Sequence, residues 1–410
     1  MNVWDAIIVG AGPAGSATAR HLAHSGLQVL LLDRAAFPRD KACSEYLSPE
    51  VTRLLARLGS DVLGAVERAA PARLRGMKVF APNGAVMCGR FDGRHPYPAP
   101  RPYSFALPRM TFDAILVESA IGAGVELRER VAVDELTFDA SGMVNGVATR
   151  DAKGGKREAL RAGLVIGADG LNSTVARKLG LARRGVPHRI AFTAHVRDVA
   201  GVKDFGELHV SRTGYVGLGP IGDGVTTVAL VLPVHAARRT TAGDPHGFVT
   251  ELDRFPGLGG RFDPARFTRE VLVTGPFARW SRSSVAPHGG ALLVGDAADF
   301  FDPFTGQGIY SALKGAELVA ETVVPLLSSG RRPGANALAR YRSLRRHTFS
   351  GKWILERLIG LGVGSPAITN RVVSRLARSP ERSDLLVGAT GNFVPARVTF
   401  TPRFLAGLIV

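Results

Sequence analysis

The sequence predicts an α/β fold in which a Rossmann-type nucleotide-binding domain is interleaved with a mixed β-sheet domain and followed by a helical C-terminal segment. Three observations support this prediction. A glycine-rich turn joins a buried strand to a helix near the N-terminus, strand-like segments fill 189–285, and a buried strand followed by a long helix returns at 291–327. A chain of 410 residues usually organises more than one hydrophobic core, so several packed units are expected.

The N-terminal unit carries a dinucleotide-binding pattern. Gly10, Gly12 and Gly15 follow a short apolar strand in the spacing GxGxxG and open a predicted helix. The first glycine permits a tight turn, the second lets the backbone approach a pyrophosphate, and the third lets the helix pack closely on the sheet. Asp33 ends the next strand, where its carboxylate can accept hydrogen bonds from ribose hydroxyls. A bound dinucleotide is therefore predicted here.

The remaining strands divide between two sheets. A predicted hairpin at 77–90 and the alternating strands of 189–285 belong to a second sheet, whereas the short strands of 125–165 extend the first. The predicted units are a discontinuous nucleotide-binding domain, a β-sheet substrate domain and a basic, mainly helical C-terminal region, which comprise 1–75 with 104–188 and 286–330, 76–103 with 189–285, and 331–410.

Composition limits the classes of protein that remain. The two cysteines, Cys43 and Cys88, provide neither a disulfide framework nor a zinc-type spacing, so no metal site is predicted. The N-terminus has no basic leader, and no run reaches about 18 apolar residues, so we expect a cytoplasmic protein without a signal peptide or membrane span. Nucleic acid is a poor candidate partner, because no binding fold is recognisable and aromatic residues are only 7%.

Positive charge is concentrated at the end of the chain. The whole protein carries +17, and 331–410 holds thirteen Arg and one Lys against three acidic residues, a net charge of +11. Two predicted helices, 335–359 and 367–378, place arginines beside apolar residues. Because basic amphipathic helices bind anionic lipid, one interpretation is a peripheral membrane contact through 331–410. The other is a solvated basic face that closes over the substrate domain.

Three further segments contain motifs that resemble those of a known protein superfamily. Leu164–Ser173 and Ala291–Ala298 each bring an apolar strand to a Gly/Asp turn at a sheet edge, and Pro303–Ile309 opens a long helix. Together with the N-terminal pattern, these motifs resemble the FAD-dependent monooxygenase and geranylgeranyl reductase superfamily, whose fold is that of p-hydroxybenzoate hydroxylase. The resemblance covers about residues 5–325 and implies FAD as cofactor.

The resemblance assigns roles at several positions. It implies that Arg109 reaches the cofactor near its phosphates and ribityl chain, that the backbone of Val131 bonds adenine, that Asp169 lies near the pyrophosphate, and that Asp296 binds ribityl hydroxyls. The backbone N–H groups of loop 303–308 would face the flavin edge where negative charge collects on reduction. The residues that pattern and resemblance together assign to FAD are Gly10, Gly12, Pro13, Ala14, Gly15, Asp33, Arg34, Lys41, Ala42, Cys43, Arg109, Val131, Asp169, Gly295, Asp296, Pro303, Gly306, Gln307, Gly308 and Ile309.

Two segments depart from the family pattern. Ser44 replaces the glycine of the family's Lys-x-Cys-Gly motif. Because the resemblance places this motif near the isoalloxazine ring, Cys43 is either a candidate for contact with the ring or a buried, inert thiol. Over the substrate, geranylgeranyl reductases carry Tyr-x-Trp-x-Phe-Pro, whereas this chain keeps Tyr215 and Pro220 but has Gly217 and Gly219 in place of the two rings. The predicted substrate pocket, which includes Tyr215, Gly217 and Pro220, is therefore wider. No second GxGxxG is visible for NAD(P)H, as is usual in this superfamily, and NAD(P)H is expected as reductant.

Three functional hypotheses follow. The first is an NAD(P)H-dependent FAD monooxygenase that hydroxylates a bulky apolar or aromatic substrate, such as a polyketide- or quinone-like compound of secondary metabolism. The alternative is a geranylgeranyl reductase-like flavoenzyme that reduces double bonds of an isoprenoid or lipid, and the third is a basic flavoprotein adaptor at membranes. No catalytic acid or base is named, because this chemistry rests chiefly on the flavin and the pocket shape. The sequence leaves the oligomeric state open.

Overall fold

The structure is a computed structural model that describes residues 3–151, 155, 157–185, 189–237, 244–277 and 279–409. Its strands are β1 (Val3–Val9), β2 (Val29–Leu32), β3 (Tyr46–Leu47), β4 (Ala72–Leu74), β5 (Gly76–Phe80), β6 (Val86–Arg90), β7 (Ser104–Ala106), β8 (Glu126–Arg128), β9 (Val131–Phe138), β10 (Val144–Asp151), β11 (Arg157–Gly167), β12 (Ala182–Arg184), β13 (Arg189–Arg197), β14 (Gly206–Ser211), β15 (Gly214–Gly222), β16 (Val225–Pro233), β17 (Leu272–Thr274), β18 (Arg279–Ser281), β19 (Ala291–Leu293) and β20 (Asp299–Phe300).

The helices are α1 (Pro13–His24), α2 (Pro49–Leu58), α3 (Ser60–Arg68), α4 (Arg109–Gly122), α5 (Thr174–Lys178), α6 (Val234–Ala237), α7 (Pro245–Leu252), α8 (Gly308–Ser328), α9 (Ala335–Val363), α10 (Pro366–Ala377), α11 (Pro380–Thr390) and α12 (Pro402–Ile409). Short 3₁₀ turns occur at Gly295–Ala297 and Pro303–Thr305. The predicted α/β fold is confirmed.

The first sheet has the order β8-β2-β1-β11-β10-β9, with β19 beside the C-terminal half of β11. Strands β8, β2, β1, β11 and β19 are parallel, and β10 runs antiparallel to both of its neighbours. Ile7 and Ile8 are fully buried on opposite faces, which explains the continuous apolar run of β1. Helices α1, α4 and α8 cover one face, and α1 packs closely on α8.

The second sheet has the order β17-β13-β16-β15-β14-β5-β6, in which only the β5–β14 pair is parallel. Its strands lie within 76–103 and 189–285. Successive residues of β15 face opposite sides: Val216 packs against the outer layer with Phe248 and Leu252, whereas Tyr215 belongs to the inner cluster. This alternation places the inner face toward the first sheet and its loops.

The C-terminal region packs on both sheets. The first half of α9 lies on the first domain, where Tyr341 is fully buried and donates its hydroxyl to the Leu293 carbonyl at 2.8 Å. Helix α11 packs on β6, and a Cβ added at Gly89 would lie 2.5 Å from the Ser383 carbonyl oxygen. The backbone N–H of Arg90 is held by Asp384 at 2.8 Å. The region therefore covers the second sheet.

No helix among the described residues combines the length and the apolar character needed to cross a membrane.

Candidate active site

A cavity with a volume of about 1080 Å³ lies between the two large sheets and the C-terminal helices. Most of the predicted site residues line it, namely Gly12, Pro13, Ala14, Arg34, Lys41, Ala42, Cys43, Arg109, Asp169, Tyr215, Gly217, Gly295, Asp296, Pro303, Gly306, Gln307, Gly308 and Ile309. Gly10, Gly15, Asp33, Val131 and Pro220 do not line it.

The three glycines of the N-terminal turn differ in the space around them. Gly10 has a left-handed φ of +99°, and a Cβ on Gly15 would lie 1.8 Å from the Gly10 carbonyl oxygen, so both glycines are needed for the turn and the packing. Gly12 differs, because a Cβ there would meet only the Arg39 guanidinium, at 3.5 Å. Among the described residues, no side chain caps the N-terminus of α1. Gly12 and the first turn of α1 therefore face open space suited to an anion.

Asp33 holds the turn itself. Its Oδ2 accepts a hydrogen bond from Ala11 N and its Oδ1 from Ala35 N, each at 2.8 Å. The buried carboxylate keeps further lone pairs, so the ribose contact stays a prediction. The backbone N–H of Val131 donates to the Asp33 carbonyl at 2.9 Å and is thus engaged within the protein. Its predicted adenine contact could use the carbonyl instead, and also stays a prediction.

Three cations gather next to the glycine turn. Arg109 is buried and bonds Asp113 through Nε and Nη2, both at 2.6 Å, and Arg39 reaches the same carboxylate at 3.2 Å. Burial alone would lower the pKa of Arg109, but Asp113 raises it overall. Burial lowers the pKa of Lys41, and Arg109 lowers it further, against the opposing effect of Asp296. This cluster supplies positive charge beside the space that Gly12 leaves open.

The two Gly/Asp turns serve different purposes. Asp169 accepts hydrogen bonds from Ser173 Oγ at 2.5 Å and Thr174 N at 2.6 Å, so it caps α5. Burial raises its pKa in spite of these bonds. Asp296 lies in the 3₁₀ turn after β19 and faces the cavity near Lys41. Asp296 is therefore the carboxylate more available to a ligand.

Loop 303–308 is anchored to the second sheet by Asp302. The carboxylate accepts hydrogen bonds from Tyr215 Oη at 2.6 Å, from Arg189 Nη1 at 2.8 Å and from Phe304 N at 3.0 Å. The Phe304 ring packs edge-on against Tyr215, with centroids 4.9 Å apart. Burial, and then the Asp302 charge, raise the pKa of Tyr215 well above its ordinary value. Tyr215 is thus a neutral donor that fixes the loop as well as a pocket residue.

The C-terminal region anchors the same loop from the other side. Thr305 Oγ1 donates to Glu356 Oε1 at 3.1 Å, and Lys352 Nζ bonds the same oxygen at 2.7 Å. Two polar atoms at the end of the loop and in the first turn of α8 have no partner within the described part of the chain. Gln307 Oε1 and Ser311 Oγ are buried without a hydrogen-bond partner among the described residues, and both residues line the cavity. Buried polar atoms of this kind are expected where a ligand completes the site.

The buried carboxylate of Glu45 follows Lys41 and Cys43 in the chain. Glu45 is fully buried in a left-handed conformation, with φ +60°, and bonds His195 Nε2 at 2.7 Å and Arg109 N at 3.2 Å. It ties this segment to β13 of the second sheet. Cys43 lines the cavity and packs in an apolar cluster.

Sequence reasoning missed five residues of these networks: Asp302, Arg189, Glu45, His195 and Glu356. Asp302 alone had a local signal, since an Asp before Pro303 is a typical cap. Glu356 forms a local i, i+4 pair with Lys352, but its contact with Thr305 and the contacts of Arg189, Glu45 and His195 join residues far apart along the chain, which no local pattern marks.

The inner face of the second sheet forms the far wall of the cavity. Tyr215, Gly217 and Gly219 lie on this face because residues two apart share a side of a strand. Pro220 does not line the cavity, and its assignment to the pocket stays a prediction. The opposite wall comes from the helices of 331–410, through apolar residues that include Leu355 and Val363.

These residues fit FAD. The open side of Gly12, the uncapped start of α1 and the nearby cations suit a pyrophosphate, and Asp296 suits hydroxyl groups. The unpaired Gln307 and Ser311 oxygens suit a polar ring edge.

Comparison with known proteins agrees with this fit. A family model described as FAD binding domain matches residues 4–349. Digeranylgeranylglycerophospholipid reductase 2 of Methanothermobacter thermautotrophicus is 30% identical over 392 residues, which cover 93% of each chain. Menaquinone reductase of Mycolicibacterium smegmatis is 29% identical over 347 residues, which cover 80% of this chain and 76% of that protein.

Solved structures share the fold. A flavoprotein/dehydrogenase from Cytophaga hutchinsonii has a TM-score of 0.83 at 19% identity, covering 98% of this chain and 96% of its own. A myxobacterial chondrochloren halogenase has a TM-score of 0.77 at 21% identity, covering 98% and 97%. The chain therefore belongs to the FAD binding domain family and is an FAD-dependent oxidoreductase.

Proposed function

We propose that this oxidoreductase acts on an amphiphile with a long apolar chain and reduces a carbon–carbon double bond of that chain, with NAD(P)H as the reductant of FAD. The observation that carries the proposal is the shape of the cavity. It continues past loop 303–308 between the inner face of the second sheet and the C-terminal helices, where Leu376, Phe404 and Leu408 line it. An apolar chain in such a space gains about 0.8 kcal/mol for each buried CH₂ group.

The relatives support the reaction type. Both relatives reported above are named as reductases, one of digeranylgeranylglycerophospholipid and the other of menaquinone.

When bound, FAD supplies a carrier that takes an electron pair from a reductant and passes it on. The chain's own residues prepare the site for this. The N-terminus of α1 and Gly12 would hold the phosphates, and the Arg39, Lys41 and Arg109 cluster would offset their charge. Asp302 and Glu356 fix loop 303–308, so the donors that the loop presents to the cofactor would be oriented before negative charge develops there.

Hydroxylation of an aromatic head group is a second candidate, favoured by the glycines of β15. A Cβ on Gly217 would come no closer than 3.9 Å to Leu208 Cδ1, and one on Gly219 no closer than 3.7 Å to Thr227 Cγ2. Neither position is closely packed, so the two glycines leave this wall without side-chain bulk, which suits a substrate that carries a ring rather than a slim chain alone.

The test compares turnover with and without oxygen. Purified holoprotein is incubated with NADH or NADPH and two probes, a polyprenylated quinone and a long-chain alkylphenol, and the products are analysed by mass spectrometry. Reduction predicts anaerobic turnover and a product with two added hydrogen atoms. Strict dependence on O₂, with labelled oxygen in the product, would refute the reductase proposal and support the second candidate.

An aromatic side chain introduced into the pocket would distinguish a ring-bearing substrate from a slim apolar chain. Gly217→Trp narrows the cavity beside loop 303–308, so it should abolish turnover of a ring-bearing substrate and preserve that of a slim chain. Thr213→Trp adds the same ring at an exposed position of the same hairpin and is the matched control.

A further inference from the structure

An apolar surface surrounds one end of the cavity. We define the mouth patch as six large apolar residues whose side chains are exposed, in fractions from 39% to 70%: Phe301, Ile354, Leu358, Leu361, Ile368 and Leu405. Contiguous exposed apolar surface of this kind is uncommon on soluble proteins and marks an interaction site.

The mouth patch is continuous in space. Ile354, Leu358 and Leu361 are spaced i, i+4 and i+7, so they form one stripe along α9. The stripe adjoins its neighbours closely: a Cβ on Gly360 would lie 3.1 Å from Phe301 Cε1, and one on Gly362 would lie 3.8 Å from Ile368 Cγ2. Helix α12, which carries Leu405, packs on α10.

The cavity opens at this surface. Phe301, Leu358, Ile368 and Leu405 are exposed to solvent and at the same time line the cavity. Residues with both properties mark an entrance, so an apolar molecule that reaches the mouth patch has direct access to the pocket.

Positive charge accompanies the apolar stripe. Arg357 lies on the same face of α9 as Ile354 and Leu361, and Arg403 lies two residues before Leu405. Both arginines are exposed, and neither forms an ion pair with another described residue. Of the three acidic residues in 331–410, Glu356 and Asp384 are buried, which leaves Glu381 as the exposed one. Free cations around an apolar stripe complement an anionic bilayer, whose headgroups bind arginine while apolar side chains enter the acyl boundary.

We propose that the protein docks on anionic membranes through the mouth patch with Arg357 and Arg403, and that its substrate enters the cavity directly from the bilayer. The second clause rests on the proposed function, since it requires a lipid-like substrate. The docking surface does not include the arginines on the first half of α9. Arg345 is buried there against Asp299, and Arg340 bonds Glu321.

Docking is tested by co-sedimentation of the FAD-loaded full chain with vesicles of phosphatidylcholine, with and without phosphatidylglycerol. We expect binding that requires the anionic lipid and weakens with salt. Ile354→Glu with Leu361→Glu should reduce the apparent affinity at least about ten-fold, because two apolar contacts are replaced by charge of the wrong sign. Arg357→Gln with Arg403→Gln should reduce it about five-fold for each arginine.

Matched controls are available on the other domain. Ile121 on α4 is 47% exposed, and Arg68 on α3 is exposed without an ion pair to a described residue. Ile121→Glu and Arg68→Gln should leave vesicle binding unchanged. Bound flavin absorbance and the thermal midpoint confirm that each variant is folded.

Three results would overturn the docking proposal: no vesicle binding by the wild type, equal loss in the control variants, or a mouth patch that mediates self-association in sedimentation velocity instead. Substrate entry has its own readout. Ile354→Glu with Leu361→Glu alters residues that do not line the cavity, so activity on a short-chain soluble analogue should be retained while activity on vesicle-embedded substrate falls. If neither substrate is turned over, the proposed function is refuted, whereas the docking proposal is still tested by the vesicle assay alone.

Discussion

Asp302 should contribute most of the stability of loop 303–308, and Asp302→Asn tests this. The side chain is 10% exposed and accepts three hydrogen bonds, one of them from the Arg189 guanidinium, which is 16% exposed. The amide retains one acceptor oxygen, which can still serve Tyr215 and Phe304. Its NH₂ group cannot accept from Arg189, so the guanidinium is left without its partner in a largely buried place.

The magnitude follows from the kind of bond that is lost. A hydrogen bond between charged groups contributes about 1.5–3 kcal/mol, and an unpaired buried charge adds a desolvation cost. We therefore expect Asp302→Asn to lower the free energy of unfolding by about 3 kcal/mol. Tyr215→Phe removes one bond and leaves the Asp302–Arg189 pair intact, so its cost should be smaller, about 1.5 kcal/mol.

The assay is urea unfolding of the holoprotein followed by circular dichroism, with FAD affinity measured by flavin fluorescence. Asp198→Asn is the matched control, because it removes the carboxylate of an exposed Asp–Arg pair and should cost less than about 1 kcal/mol. FAD affinity should fall in Asp302→Asn and not in the control. The reasoning is refuted if Asp302→Asn costs no more than Asp198→Asn, or if Tyr215→Phe costs more than Asp302→Asn.

Other positions give independent predictions. Gly12→Ala should leave the stability of the FAD-free protein unchanged and weaken FAD binding by at least about 100-fold, as measured by titration. Gly15→Ala should lower the free energy of unfolding by at least about 2 kcal/mol, as measured by calorimetry. Gln307→Leu removes an unpaired buried oxygen, so it should stabilise the FAD-free protein by about 1 kcal/mol and weaken FAD binding about ten-fold; unchanged FAD binding would exclude Gln307 from the site. Burial raises the pKa of Glu50 above its ordinary 4.5, so the stability linked to its protonation is present below pH 4.5 and is lost as pH rises through the folded pKa. Glu50→Gln should therefore stabilise the protein at pH 7 by urea unfolding, with the gain vanishing below pH 4.5.

The parts of the site that are continuous in sequence could be predicted. Gly10, Gly12 and Gly15 act within six residues, and their roles depend on backbone space alone, which residue type determines. The same holds for Gly306, whose left-handed φ of +65° shapes the turn before α8. Such motifs carry their own geometry, so recognition of the residues was sufficient.

The networks that hold these motifs in place could not be predicted. Tyr215 and Asp302 are 87 residues apart, and Glu45 and His195 are 150 apart. Each pair forms because two sheets and their loops pack together, and a single polar residue in an apolar strand is compatible with many partners. The motif that names Pro220 likewise does not specify which face of β15 this residue occupies.

The basic C-terminal region shows most clearly what a charge count cannot provide. Along α9, Arg345, Lys352 and Glu356 point inward, where they pair with Asp299 or with each other and fix Thr305. Arg357 is one residue further and faces outward with the mouth patch. Arg345 and Lys352 thus serve a different purpose from Arg357, because each residue turns the helix by about 100° and these cations lie on different sides of α9. Inward cations stabilise the loop through buried partners and are insensitive to salt, whereas outward cations are available to a ligand and are screened by salt. The net charge of +11 therefore combines cations that are paired inside the protein with cations that are exposed, and only the exposed cations bear on docking.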